Sequence, residues 1–264
     1  VFISTAIFIG YTFFTYNCVF LIIFLELGLK DSCKQFRYSK SNTGNGVYLI
    51  RTGVNEHTKT YCQMSSLPGC SGGGWTLVMK IDGKKATFRY SSSLWSNKQS
   101  YNPSGGQSGF DNVETKLPIY WRASFKEICI GMKVGSALRF ISLKYPANSL
   151  YSLFADGKYR ATNLGRQKWK SLIPSAISSL QLKCNHEGFN GYAENVKARI
   201  GIIGNEGTDS CVSSDSYIGV GTTNTNNNRL CDFHFSLNSA GNVAGCKADN
   251  GNRDTKAMGY ILVR

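Results

Sequence analysis

Eight cysteines, Cys33, Cys62, Cys70, Cys129, Cys184, Cys211, Cys231 and Cys246, are spread behind an apolar N-terminus, and no other feature restricts the fold so strongly. An even set of cysteines behind an export segment reads as a disulfide framework, which holds together domains with long loops and few helices. Zinc is the rival use of cysteine. No C-x-x-C pair occurs, however, and the one metal-like spacing, Cys231-x-x-His234, lacks a second pair. Eight cysteines allow 105 pairings, so arithmetic does not choose among them. The ninth, Cys18, lies inside the apolar run and is set aside.

Residues 1–25 contain no charged side chain and are long enough to cross a bilayer as a helix, which takes about 20 apolar residues. We read 1–29 as an apolar export segment, either a signal peptide or a transmembrane anchor. The first residue is Val1, no basic stretch precedes the apolar run, and no small-x-small cleavage site follows it before Lys30. The expectation is therefore that upstream basic residues are missing. Lys30, Lys34, Arg37 and Lys40 follow the run, where the positive-inside rule would keep them in the cytoplasm. The cysteine framework argues for the opposite side and outweighs them. The expected location is extracellular, secreted or anchored by one span with the cysteine-rich part outside. Residues 30–46 read as a connection and domain start, and 47–264 as the domain.

Within that domain, 47–50 and 58–64 alternate as two strands about a turn, and 75–81 is a third strand closed hairpin-fashion by Asp82-Gly83-Lys84-Lys85. Residues 88–112 read as a long loop carrying Trp95 and Tyr101. Strands are expected near 126–135, 137–146 and 198–207, a short helix over 175–182 after Pro174, and a last apolar strand at 258–264. The fold class is α+β, loop-rich and disulfide-linked, with short antiparallel sheets and few helices.

In Cys70-Ser71-Gly72-Gly73-Gly74-Trp75 three glycines precede the bulkiest side chain, which implies a backbone turn wedged against a core. Tyr61-Cys62 followed by Gly74-Trp75-Thr76-Leu77-Val78 resembles the core motif of fibrinogen C-terminal-like domains, the fold of ficolins, tachylectins and intelectins. A longer series of blocks, from Gly74 through Glu114-Thr115-Lys116 to Lys256-Ala257-Met258-Gly259, is similar to the cnidarian proteins called uncharacterized skeletal organic matrix protein 5-like. That resemblance covers about residues 33–264. It implies a Cys33–Cys62 disulfide, whose loop closure would contribute about 3 to 4 kcal/mol.

The resemblance also implies a calcium loop before a cysteine. The usual Asp-x-Asp is not clearly present, and Asn205, Glu206, Asp209 and Asp215 stand near that place as oxygen ligands for Ca2+; the alternative group is Asp82 and Asp111. An ordinary Asx-rich turn is the competing reading. Ligands of this fold are bound by loops of the C-terminal third, which nominates Asp232, His234, Asn238, Asp249 and Tyr260, with Phe233 and Phe235 as either an aromatic wall or one core face of a strand.

The formal net charge is +14, which favours anionic partners. Lys158, Arg160, Arg166, Lys168 and Lys170, around Tyr159 and Trp169, form a basic patch suited to glycans or acidic matrix polymers. Nucleic acid is not an expected partner of an exported, disulfide-rich domain, and a membrane is one only through residues 1–25. The three histidines, His57, His186 and His234, form no metal or triad motif, and no G-x-S-x-G elbow occurs, so an enzyme is not expected. His186 beside Glu187 offers a general base, against the commoner role of a solvated surface pair. The expectation is an extracellular, non-enzymatic recognition or matrix protein, with calcium as its only candidate cofactor; the alternative is a purely structural matrix component, membrane-attached and without a ligand pocket. Ligand identity and oligomeric state stay open.

Overall fold

The computed structural model describes residues 30–39, 44–207, 209–224, 229–230 and 233–264; the export segment 1–29 lies outside them, as does Asp232. Among the described residues no helix is long and apolar enough to cross a membrane.

Alternating side chains make Gly46–Gly53 (β1) and Glu56–Gln63 (β2) a hairpin, with Asn55 in the left-handed region at φ 57°. Trp75–Asp82 (β3) follows the glycine turn, and Thr115–Lys116 (β4) adds to its end. Phe125–Val134 (β5) and Ala137–Ala147 (β6) form a second hairpin. Arg160–Ala161 (β7), Lys183–Tyr192 (β8), Val196–Asn205 (β9) and Ser216–Asn224 (β10) come next. Arg229–Leu230 (β11) and Phe233–His234 (β12) make a small ribbon. Ala240–Ala244 (β13), Arg253–Lys256 (β14) and Met258–Val263 (β15) end the chain.

Apart from the β11–β12 ribbon, these strands form two antiparallel sheets. One has the order β1-β2-β3-β15-β5-β6, with β4 beside β3; the other has the order β14-β13-β10-β9-β8-β7. The sheets are larger than the short ones expected, and among the described residues the helices are few and short, the longest being Cys33–Ser39 with 7 residues. The chain is thus more sheet-rich than an α+β reading implies. One hydrophobic cluster takes Val78, Ile81 and Ile130 from the first sheet and Ile200 and Ile218 from the second, with Trp95 and Trp169 from connecting segments. A second cluster gathers Trp75, Leu77, Phe140, Tyr260 and Leu262.

Three disulfides lie wholly among the described residues: Cys33–Cys62, Cys70–Cys129 and Cys184–Cys211; Cys246 is also disulfide-bonded. The first bridge pins the helix Cys33–Ser39 against β2, and the Cys33 amide donates to Thr76 Oγ1 at 3.0 Å.

The glycine turn explains the placement of Trp75. Gly72, Gly73 and Gly74 have φ of 89°, 62° and 73°, a run that side chains rarely tolerate. A Cβ on Gly73 would stand 1.9 Å from the Met64 carbonyl oxygen, and one on Gly72 would meet the Arg264 guanidinium at 2.2 Å. Trp75 is fully buried, donating its indole N–H to the Cys70 carbonyl at 3.2 Å.

Two expectations are corrected. The stretch 175–182 is not a helix beyond one turn, in which the Ile177 and Ser178 amides both donate to the Pro174 carbonyl. Beyond it the amides of Ser179, Leu180 and Gln181 donate to Asn242 Oδ1, Asp249 Oδ1 and Ser216 Oγ, so side-chain acceptors replace the helical ones. Asp82 to Lys85 does form a turn, with Asp82 Oδ1 accepting from the Lys84 amide at 3.0 Å, but no hairpin partner follows; β3 pairs instead with β2, β4 and β15.

Replacing Gly73 with Ala is expected to lower stability by more than about 2 kcal/mol, through the backbone clash and the positive φ together. Gly46→Ala, with open space around it, should change stability by less than about 1 kcal/mol. Denaturant unfolding under non-reducing conditions measures both, and equal stabilities would contradict this turn geometry.

Candidate functional site

The acidic loop is built where β9 runs out and β10 begins, with Gly204 opposite Ser216. Its four expected ligands separate into different roles. Asn205 is buried, donating Nδ2–H to the Ser210 carbonyl at 2.7 Å and accepting from the Glu206 amide at 2.9 Å, so its side-chain amide is occupied inside the protein. Asp209 is exposed and lies 3.9 Å from Lys183 Nζ. Glu206 and Asp215 are the two carboxylates brought together. Gln181 joins them: its Nε2 donates to Glu206 Oε2, and its Oε1 accepts from the Asp215 amide at 3.1 Å.

Burial pushes the Asp215 carboxyl up to about 6, and the adjacent Glu206 charge adds to that against the Asn195 amide, which donates to Oδ1 at 3.0 Å. Among the described residues no group of three or more acidic, histidine or cysteine side chains is arranged to hold a metal ion. A carboxylate pair supplies charge and up to four oxygens, short of the six to eight that calcium takes, and the remainder would have to come from carbonyls or water.

The alternative pair is divided. Asp111 is the counter-ion of Lys80, a fully buried lysine, and also accepts from Ser108 Oγ, while Asp82 holds the turn already described.

The C-terminal ligand set does not form one surface. Tyr260 is fully buried and its hydroxyl donates to the Asp111 carbonyl at 2.7 Å, so it belongs to the core. Asn238 is buried, donating to the Thr255 carbonyl at 3.0 Å. Asp249 accepts from Arg166 Nη2 at 2.7 Å, from Lys170 Nζ and from the Leu180 amide, and is fully engaged. His234 is exposed. Phe235 packs with Tyr217 and Val243, a core role rather than an aromatic wall.

The basic patch is largely neutralised by the fold. Arg160 pairs with Asp156 at 2.8 Å, and Arg166 and Lys170 both pair with Asp249. Lys158 and Lys168 remain exposed without a carboxylate partner among the described residues.

Glu187, offered by the sequence as the partner of a general base, is a structural acceptor. It takes hydrogen bonds from Trp169 Nε1 at 2.8 Å, Thr162 Oγ1 at 2.7 Å and the amides of Leu164 and Gly165 at 2.9 and 2.7 Å. Burial pushes its carboxyl up, but these four donors outweigh burial and hold it below the usual range. His186 instead stacks on Tyr159, with ring centroids 3.9 Å apart, and burial lowers its pKa.

Sequence reasoning missed the concave surface. Two clefts, of about 550 and 490 Å³, flank the helix Cys33–Ser39 and share Ser32, Gln35 and Ser124. The first is lined by Arg51 and Arg122, the second by Lys34, Lys126 and Arg264. No linear motif announces them, because their walls come from segments as far apart in the sequence as Asp31 and Arg264.

Asp215 gives a pH test on calcium-free protein. Its folded pKa, about 6, exceeds the unfolded value of about 3.9, so the carboxyl favours folding when protonated and that stability is lost as pH rises through 6. In chelator, Asp215→Asn should exceed the parent in stability by about 1 to 3 kcal/mol at pH 7.5, with the gap closing by pH 4. Unfolding curves at the two pH values check this, and a gap that widens toward low pH would contradict it.

No family model matches the chain. Among solved structures it is similar to one described as the fibrinogen-like globe domain of human ANGPTL2, at 16% identity, covering 88% of this chain and 98% of that one, with a TM-score of 0.32. Two backbones that superpose so loosely share too little geometry for the likeness to bear on this chain's topology or site.

Proposed function

We propose that this chain is an extracellular, non-enzymatic binding domain for acidic glycans or matrix polymers, of the fibrinogen C-terminal-like type that its glycine–tryptophan motif resembles. The observation that carries the reading is the distribution of charge. Asp31, Glu56, Asp111, Glu127, Asp156 and Asp249 each hold a lysine or arginine of the fold itself. Lys34, Lys126, Lys158, Lys168 and Lys197 have no carboxylate partner among the described residues. Buried Lys116 and Arg199 take up part of the +14 excess, and these five lysines add positive charge nearer the surface.

The disulfides support an oxidising, extracellular setting. The apolar segment 1–25 would act as a signal peptide or single anchor. Glu206 and Asp215 would hold Ca2+, stiffening the loop closed by Cys184–Cys211, and matrix polymers of a mineralised skeleton fall within the proposed ligand class.

A glycan array probed with the full chain tests the reading, with calcium, with chelator, and at raised salt. Binding concentrated on sulfated or uronic-acid glycans and weakened by salt is expected. Loss in chelator would locate calcium's contribution at Glu206 and Asp215, to be checked with Glu206→Gln. An array without acidic-glycan signal would contradict the proposal and favour a purely structural role.

A further inference from the structure

We infer that the groove around the helix Cys33–Ser39 is the binding site for a linear sulfated or carboxylated polysaccharide. The inference rests on the acidic-polymer reading above and moves the contact surface away from the segment 156–171. The two clefts share Ser32, Gln35 and Ser124, so they lie side by side. Each has the volume of a small-ligand site, so together they accept an oligosaccharide stretch rather than a single sugar.

Five cations, Arg51, Arg122, Lys34, Lys126 and Arg264, and one carboxylate, Asp31, line the clefts; Arg264 is held by Glu127, so the charge available to a ligand comes from the other four. Arg51 pairs with Asp31 and Arg122 with Glu56 in exposed bridges, with side-chain exposures of 39% and 52%, then 45% and 55%. Exposed pairs contribute only about 0 to 1 kcal/mol, so the Arg122 guanidinium can turn its fork to a sulfate or carboxylate at small cost. Lys34 and Lys126 have no carboxylate to give up among the described residues. Hydroxyl and amide groups of Thr52, Ser124, Gln35 and Asn148 suit sugar hydroxyls. The one aromatic in the lining, Phe125, is buried, so the groove offers no stacking platform for a nucleic-acid base.

The test measures binding of the full chain to heparin across a salt series. Lys34→Gln/Lys126→Gln should weaken binding at least 10-fold and reduce the salt slope by about two, while Lys158→Gln/Lys168→Gln changes affinity less than 2-fold. Matching near-ultraviolet circular dichroism and unfolding midpoints establish that both doubles are folded, and Arg122→Gln supplies the same test if the first double is not. Loss in the second double alone would overturn the groove while leaving the binding function standing. A parent that ignores heparin would overturn both. Polyglutamate binding the groove as tightly as heparin would overturn the polysaccharide assignment.

Discussion

Arg264, the last residue, lies with its guanidinium 4.4 Å over the Trp75 ring, and most of the structure depends on that closure. Its Nη1 donates to the Ser71 and Gly73 carbonyls at 2.8 and 3.2 Å, and its Nε donates to Glu127 Oε2 at 2.9 Å. A single side chain thus ties the glycine turn, the strand carrying the tryptophan and β5. The three glycines are required on the other side of the same contact, since a Cβ at Gly72 would fill the space the guanidinium takes. Cation–π contact on a desolvated tryptophan adds about 2 kcal/mol or more to the hydrogen bonds.

The strand that delivers Arg264 is the last in the sequence and central in its sheet. All six residues of β15 are buried, and it pairs with β3 on one side and β5 on the other. Only Ala257 separates it from β14, the edge of the second sheet. One stretch of about ten residues therefore supplies a strand to each sheet, and such non-local pairing makes folding slow. The buried cations follow a related logic. Lys116, fully buried, donates to the Asn97 carbonyl at 2.8 Å and to Asn97 Oδ1 at 2.9 Å, and burial lowers its pKa to about 8. With Lys80 and Arg199, it uses positive charge to fasten loops to sheets.

The first two strands were legible because alternation along 47–50 and 58–64 is a local property, and the glycine turn because no other residue type fits three positive φ values in a row. What stayed hidden is non-local. The expected helix at 175–182 is undone by Asn242, Asp249 and Ser216, acceptors that local propensity cannot register. Arg166 and Lys170 looked like a free patch until the fold brought Asp249, some 80 residues on, between them. Tyr260 looked like a ligand-facing ring and is instead the neighbour of Phe110 in the core. The groove, assembled from helix, hairpin and chain end, had no local signature at all.

Native-state amide hydrogen exchange tests the closure most directly. If β15 closes the first sheet between β3 and β5, its amides exchange only with global unfolding, at the same free energy as those of β3 and β5. Fast exchange of β15 while β3 and β5 stay protected would show that the chain end frays independently, and would contradict the account.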